Sequence, residues 1–529
     1  MTIVDPPPAT KNHAAPGRTR IADRISIKRE EPTTAASEVL PTPNPGPAAI
    51  VVLLVAIVVG LAGAFVFQSI SPDTPLLILG GTLVSAIALA LVGLYRYQWF
   101  LLITLAVRPA LDDLIADQFG TFQPSAILGI LVILVTALHL VSRRFSGTWN
   151  KMTPLGWAFS GFFLLFVPSY LTSVDRGVSL AAMFGLASVV LLYLAVEQQL
   201  LDDGRNLLKL LLATGIGLVV PVVTGFVQFF FTGTLDPGGS GLVRIDGSFA
   251  HPNTFATYLS FVVLFGFAII PTLKVKPRLG LIVATSVGSF LLIATFARGA
   301  WASFLLGALL LAYRINKKLV VVIIGVAFAG AAVVPGVSDR LANLTATTGP
   351  NGGAKTDDSL AWRIGYWERI WPFAGQNPVS GIGIDATKTQ TPEGKDPHNS
   401  LLQAYLEGGI LGAIGFFTLL GLATYAAWKV WQRCRKGEFD RQTTVISVGA
   451  IAGLFSVAAQ LITENVLLNT VVWWYLVLGF AHLAVLTWGN RNSINAVKEP
   501  KKKPKEHRDP PGDALSRGSS PPASSRSGR

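Results

Sequence analysis

The sequence predicts an all-α polytopic integral membrane protein of about 14 transmembrane helices (12 to 14), with a large extracytoplasmic loop containing short helices. Three observations carry this prediction. Of 529 residues, 51% are hydrophobic and only 14% charged, against about 25% charged in soluble domains. Mean hydropathy is +0.52. Apolar runs of membrane-spanning length recur between two polar tails. A soluble enzyme is thereby excluded, and the expected unit is one large helical bundle in lipid. The single cysteine, Cys434, rules out an internal disulfide framework and a cysteine-built metal site.

Residues 1–47 are rich in Pro, Ala, Thr and charge and hold no apolar stretch able to form a core, so they are expected to be a disordered cytoplasmic tail. The run 48–69 follows a long tail and exceeds a secretory h-region, which makes it a retained span. Residues 48–335 hold spans 48–69, 75–94, 99–111, 124–141, 153–171, 178–196, 207–231, 254–272, 279–297, 300–313 and 319–335, with an outer loop at 232–253. Runs 99–111 and 300–313 fall short of the ~20 residues a crossing helix needs, so tilted or re-entrant segments are expected there. Segment 336–397 forms the large extracytoplasmic loop. Within it Leu360 to Phe373 is amphipathic and carries Trp362, Tyr366, Trp367 and Trp371, the pattern of an interfacial helix at the membrane surface. Residues 398–488 supply spans 398–428, 443–462 and 470–488. The Lys-, Pro- and Ser-rich 489–529 reads as a disordered basic cytoplasmic tail, a solvated segment rather than a nucleic-acid binder.

Charge fixes the expected orientation. The net charge of +13 is to be apportioned between the two sides of a bilayer. With both termini cytoplasmic and every span crossing, the short inner loops hold seventeen basic residues, among them Arg143, Arg144, Lys317, Lys318, Arg433 and Arg435. The longer outer segments hold ten. Removing either weak span alone puts strongly basic loops on both faces, against the positive-inside rule. Because the long loops face outward, so should the function. No internal repeat supports a transporter built from duplicated halves.

Four places along the outer face offer chemistry. Arg298 closes an apolar run in Thr295-Phe296-Ala297-Arg298-Gly299. Deep in a helix an arginine costs roughly 2.5 to 3.5 kcal/mol on insertion scales, so its position calls for a reason beyond topology, although snorkelling to headgroups is the plain alternative. Arg244 stands in a polar, glycine-bearing loop before Gly247-Ser248-Phe249-Ala250-His251-Pro252-Asn253. Alone it is a solvated loop charge; with Arg298 it makes a pair of guanidinium groups able to clamp a diphosphate. His251 reads as part of a turn at the start of a helix. Asn399, Gln403 and Glu407 lie at i, i+4, i+8, one polar stripe on an otherwise apolar helix, expected to face the bundle or a wet cavity. His398 stands at the head of that helix, where imidazole is able to take or give a proton, or else simply caps it. Gly408, Gly409, Gly412 and Gly415 suit close helix packing. The outer acidic residues, Asp385, Asp396 and Asp246 among them, show no ligand spacing with the few histidines, so no metal is expected. No Walker or Rossmann loop is present either.

The segment His398-Asn399-Ser400-Leu401-Leu402-Gln403, followed by Glu407-Gly408-Gly409 and Leu411-Gly412, resembles the signature of the O-antigen ligase and polymerase superfamily of bacterial membrane glycosyltransferases. Arg363, Trp367, Pro378 and Gly381-Ile382-Gly383 are similar to that family's large outer loop, Gly247, Phe249, Pro252 and Asn253 to its preceding loop, and Arg298-Gly299 to its arginine at the end of a span. The resemblance covers roughly 240 to 425. It implies transfer of a glycan from an undecaprenyl diphosphate carrier to a glycan or lipid acceptor on the outer side of the cytoplasmic membrane, without metal or other cofactor. It implies that Arg244 and Arg298 hold the donor diphosphate and that His398 activates the acceptor hydroxyl, with Asn253, Arg363, Asn399, Gln403 and Glu407 in support. The competing expectation is a transporter or flippase of a lipid-linked glycan or small anion, whose arginines would bind without chemistry.

Overall fold

The hydrophobic runs become helices of the expected extent. A computed structural model of the protein describes residues 75–112, 124–232, 244–333 and 360–489. The expected tails 1–47 and, but for Gly489, 489–529, the span 48–69, and parts of the 232–253 and 336–397 loops lie outside the described residues. All described residues belong to one unit, Pro45–Arg529.

In chain order the helices are α1 (Pro75–Tyr95), α2 (Tyr97–Val107), α3 (Pro124–Phe145), α4 (Pro154–Thr172), α5 (Arg176–Asp202), α6 (Asn206–Phe231), α7 (Pro252–Ile269), α8 (Val275–Ala294), α9 (Arg298–Ile315), α10 (Lys317–Val333), α11 (Leu360–Ile370), α12 (Ser400–Arg435), α13 (Arg441–Gln460) and α14 (Thr470–Trp488). Among the described residues nine are long and apolar enough to cross a membrane: α3 to α8 and α12 to α14. The weak run 99–111 folds as α2, an 11-residue helix ending in a 3-10 turn over Arg108–Ala110. At 1.5 Å per residue it reaches only about 16 Å, half a bilayer core. The weak run 300–313 lengthens to the 18 residues of α9, with Arg298 itself as first residue.

Helix α14 is the hub. Its residues are buried on all faces, Trp474 and Tyr475 being 1% exposed, and it packs along α5 and α12. Helix α12 lies against α4, and α13 against α7 and α9. The predicted small-residue contacts are present: a Cβ at Gly412 would lie 2.9 Å from the Phe166 ring, and one at Gly415 would lie 3.0 Å from the Phe162 Cα.

Helix α12 departs from its sequence pattern at Gly409, whose φ of 59° and ψ of −159° break the α-helix. Residues 378–383 fill the break with their own backbone. Ile410 N donates to Pro378 O at 2.9 Å, Leu411 N to Val379 O at 3.2 Å, Ile382 N to Leu406 O at 3.1 Å and Gly383 N to Glu407 O at 3.2 Å. The approach is so close that a Cβ on Gly381 would stand 2.2 Å from Glu407 O, at a φ of 77° that L side chains avoid. A glycine pair read as packing surface is therefore also a hinge that docks the large loop.

Helix α11 is held to the protein by its aromatic residues. Its aromatic face turns into the protein: Tyr366 is fully buried and packs with Trp362, Trp367, Leu402, Tyr405 and Leu406. The reason is polar as well as apolar. Tyr366 OH donates to Lys395 O at 2.5 Å and Trp367 Nε1 to Pro397 O at 2.6 Å, so the ring edges satisfy the backbone that leads into α12. Trp371 alone of that face remains exposed, at 57%.

Candidate active site

The start of α7, the start of α9, the α13–α14 connection and the head of α12 converge at one end of the bundle. Helix α7 starts at Pro252 with His251 as its N-cap, Nδ1 accepting from Asn253 N at 3.1 Å, which bears out the plain reading of that histidine as part of a turn. The cap sets Asn253 in the second helical position, where its amide joins two charges. Its Oδ1 accepts from Arg244 Nη2 at 2.8 Å, and its Nδ2 donates to Glu464 Oε2 at 2.9 Å. Arg244 is itself fixed by Nε donating to Thr295 O at 2.9 Å and is 5% exposed. Glu464 is paired on its other oxygen with Arg363 Nη2 at 3.6 Å, and Arg363 Nη1 also donates to Thr463 O. The resulting chain, Arg244–Asn253–Glu464–Arg363, draws residues from two loops and two helices into one nearly buried line.

Arg298 joins this line through the backbone. It is three residues from Thr295, the carbonyl partner of Arg244, and the following Gly299 abuts Glu464: a Cβ there would sit 2.9 Å from Thr463 Oγ1 and 3.5 Å from Glu464 Oε1. The Arg298 side chain is half-buried. Arg244 thus meets the glutamate-centred cluster directly, Arg298 adjoins it in the chain through Gly299, and neither lines the cavity next to it.

That cavity, of about 370 Å³, is walled by His251, Asn253, His398, Gln403, Glu464 and Asn465, and also by Asp385, Lys388, Asp396 and Asp112. Ser400, two residues after His398, is fully buried. Its Oγ donates to Glu464 O at 2.7 Å and accepts from Val466 N at 2.9 Å and Leu467 N at 3.2 Å, tying the α13–α14 connection around the α12 terminus. His398 precedes that terminus with a φ of 48°, a left-handed conformation costly for a side chain of its size, held by the flanking ties. Its Nδ1 lies 3.4 Å from Asn465 Nδ2, and its ring meets Trp362 edge-on at 6.5 Å between centroids.

The polar stripe needs correction. Asn399 does not face the bundle beside Gln403 and Glu407; it is the N-cap of α12, Oδ1 accepting from Leu401 N and Leu402 N at 3.0 Å each. The i, i+4 spacing assumed a helix already formed at 399, whereas the free N–H groups of a helix start recruit the asparagine instead. Gln403 and Glu407 do pair, Nε2 to Oε2 at 3.2 Å, and Glu407 further accepts from Asp385 N and Thr387 Oγ1 at 2.8 Å each. Both are buried.

Two charged clusters adjoin the cavity. Asn253 and Glu464 line it, and behind them lie Arg244, bonded to Asn253, and Arg363, paired with Glu464. Asp385, Asp396 and Lys388 also line it, with Glu407 buried beside them, and Lys388 Nζ lies 2.7 Å from Asp385 Oδ2. Oxygens of the three acids lie within 4.8 Å of one another. Burial pushes the Asp385 carboxyl up to about 6 against the opposing pull of Lys388, and raises Asp396 in the same way. Sequence spacing gave no sign of this cluster, because it forms only when 378–383 docks on the α12 break. Glu464 was also missed, although the signal was there: a carboxylate in a short turn between two apolar spans calls for a reason just as Arg298 does.

Residues 281–417 match the family model described as O-Antigen ligase. The matched stretch runs from α8 into α12 and contains Arg298, Arg363, His398, Gln403 and Glu407; Arg244, Asn253 and Glu464 fall outside it. No curated protein sequence matches the chain. The chain is a multi-pass membrane protein whose residues 281–417 are similar to the O-Antigen ligase family.

Proposed function

We propose that the protein is a membrane glycosyltransferase, a polysaccharide polymerase or O-antigen-type ligase. It joins a glycan from an undecaprenyl diphosphate carrier to a glycan or lipid acceptor on the outer side of the bacterial cytoplasmic membrane, with both termini cytoplasmic. The observation that carries the reading is a polar cavity lined by His398, Asn253 and Glu464, with Arg244 bonded to Asn253 and Arg363 paired with Glu464 behind its lining.

A sugar carbon bonded to diphosphate is already activated, so the protein has to stabilise the departing charge and aim a hydroxyl at the opposite face of that carbon. The bond from the anomeric carbon to the diphosphate oxygen breaks with its electron pair left on phosphate, beside Arg244 and Arg298. The acceptor oxygen forms the new bond and its proton passes to His398, with inversion at the anomeric carbon. Arginine suits the first role because its fork pairs with phosphate oxygens in two parallel bonds. The chemistry so written is metal-independent. Asn253 and Arg363 support the arginine cluster through Glu464. Gln403 and Glu407 anchor the loop that carries His398, and Asn399 caps its helix.

The tautomer of His398 follows from Asn465. An imidazole that takes a proton on Nε2 must carry its own on Nδ1, and then the Asn465 side-chain oxygen, not its nitrogen, faces Nδ1. The Asn465 Oδ1 is buried with no hydrogen-bond partner, and rotating the amide satisfies it; oxygen and nitrogen of such a group are exchanged on hydrogen-bonding grounds alone.

The test is transfer by the purified protein in detergent from lipid-linked oligosaccharide to candidate acceptors, with His398→Ala and Arg298→Ala beside wild type. Removing one charge-stabilising donor of this kind is worth about 3 to 4 kcal/mol, so each variant should lose roughly a hundredfold or more in turnover. Undiminished transfer by folded variants refutes the roles. Movement of the lipid-linked glycan across sealed vesicles without glycan joining supports a transporter instead.

A further inference from the structure

The acidic cluster is more than a counterweight to the arginines. Three carboxylates, Asp385, Asp396 and Glu407, offer oxygens within 4.8 Å of one another, and a single ammonium, Lys388, neutralises one of them. With all four groups ionised, two negative charges are left over in a largely buried place, a costly arrangement without a partner.

A second observation points to what that partner is. Gln403 is 1% exposed and lines the same cavity as Asp385 and Asp396. Its Nε2 is held on Glu407 Oε2 at 3.2 Å, which leaves its Oε1 turned from that carboxylate, buried and without a hydrogen-bond partner. With Glu407 ionised, rotating the amide brings no relief, since oxygen would then face the carboxylate. The Asp396 Oδ1 is likewise buried and lacks a hydrogen bond. Two orphaned oxygens beside excess negative charge ask for a cation with several bonds to give rather than for a further donor group.

We propose that Asp385, Asp396, Glu407 and the Gln403 Oε1 bind one hard divalent cation of the calcium class. All four donors are oxygen, which excludes a preference for softer ions. Two come from an irregular loop and two from one helix, and such uneven geometry is tolerated by calcium, at about 2.3 to 2.6 Å from each oxygen with water completing its shell, better than by magnesium, which demands a near-ideal octahedron. A cation here joins the loop residues Asp385 and Asp396 to the helix residues Gln403 and Glu407. Asp396 is two residues from His398, so the ion fixes the loop that sets the histidine. Its role is structural; it stands apart from the arginine cluster and does not depend on the transfer reaction.

The test is isothermal titration of calcium chloride, and separately magnesium chloride, into the full-length protein in lipid nanodiscs after chelator treatment. One calcium per chain is expected, with magnesium weaker. Asp396→Asn and Gln403→Leu should each weaken calcium at least tenfold, whereas Asp112→Asn, which alters another acid of the cavity, should leave it unchanged. The second variant changes no charge and serves if the first fails to fold. Absence of calcium binding by wild type up to about 10 mM, beyond the weakest protein sites of this kind, overturns the proposal. So does calcium binding that survives in a folded Gln403→Leu or Asp396→Asn variant, or that is lost equally in Asp112→Asn.

Discussion

Replacing Asn253 by alanine is the sharpest probe of the arginine cluster, because one amide holds two opposite charges in register. The variant loses the bond from Arg244 Nη2, 2.8 Å, and the bond to Glu464 Oε2, 2.9 Å. Hydrogen bonds to charged groups contribute about 1.5 to 3 kcal/mol each, which sets an upper range of about 3 to 6 kcal/mol. Asn253 borders the cavity, so water replaces part of what is lost, and a net effect of about 3 kcal/mol is expected. If half or more of that falls on the positioning of Arg244 in the transition state, turnover drops at least tenfold, and the full amount gives about a hundredfold. The assay is glycan transfer in detergent alongside a melting curve, since Arg244 remains tied to Thr295 and the helices should stay folded. Asn253→Asp adds a directional check. It keeps an acceptor for Arg244 but sets an oxygen against Glu464, so at neutral pH it should be no better than alanine and should recover as acid supplies a shared proton. An alanine variant within threefold of wild-type turnover would refute the claim that this amide organises the site.

Three further outcomes are expected. Asn465→Leu removes the group that orients His398 and should cut turnover tenfold or more and alter the pH–rate profile, with little change in donor KM; an unchanged profile would remove Asn465 from the mechanism. Gly381→Ala forces a Cβ against the Glu407 carbonyl, where only backbone stands in the way; a loss of roughly 3 kcal/mol or more is expected, whereas Gly161→Ala, in open space on α4, should be neutral or slightly stabilising, and equal melting temperatures would contradict the docked loop. Burial raises the Asp246 carboxyl above its ordinary 3.8, with Gln228 opposing. A folded value above the unfolded one gives stability that is full below pH 3.8 and is lost as pH rises through the folded value, so Asp246→Asn should flatten that part of the stability–pH curve measured by melting, and a curve identical to wild type would count against it.

Much of the bundle was legible because lipid imposes one requirement, a long apolar run, and each described run became a helix. Arg298, Arg244 and His398 were legible for the converse reason, that polarity at the edge of such runs needs explanation. Asn399 was misread because spacing along a chain does not reveal where a helix begins, and a residue at the cap serves its own backbone. The Asp385–Asp396–Glu407 cluster and the Gly409 break were illegible because they depend on a loop returning to a helix far along the chain, an event with no periodic trace. Glu464 was legible and overlooked: it sits in a turn too short to draw notice, yet it centres the network that joins both arginine-bearing loops.

The discontinuity at Gly409 has a mechanical consequence. Beyond it, helix α12 is anchored among α4 and α14 like any bundle member. Before it, the two and a half turns from Ser400 to Gly408 are fastened crosswise to residues 378–383 on one side and, through Ser400, to the α13–α14 connection on the other. His398 and the capping Asn399 therefore answer to both, and a substitution in 378–383 is felt at the head of α12. One left-handed glycine thus lets a single long helix serve both as a member of the bundle and as the mount of a loop.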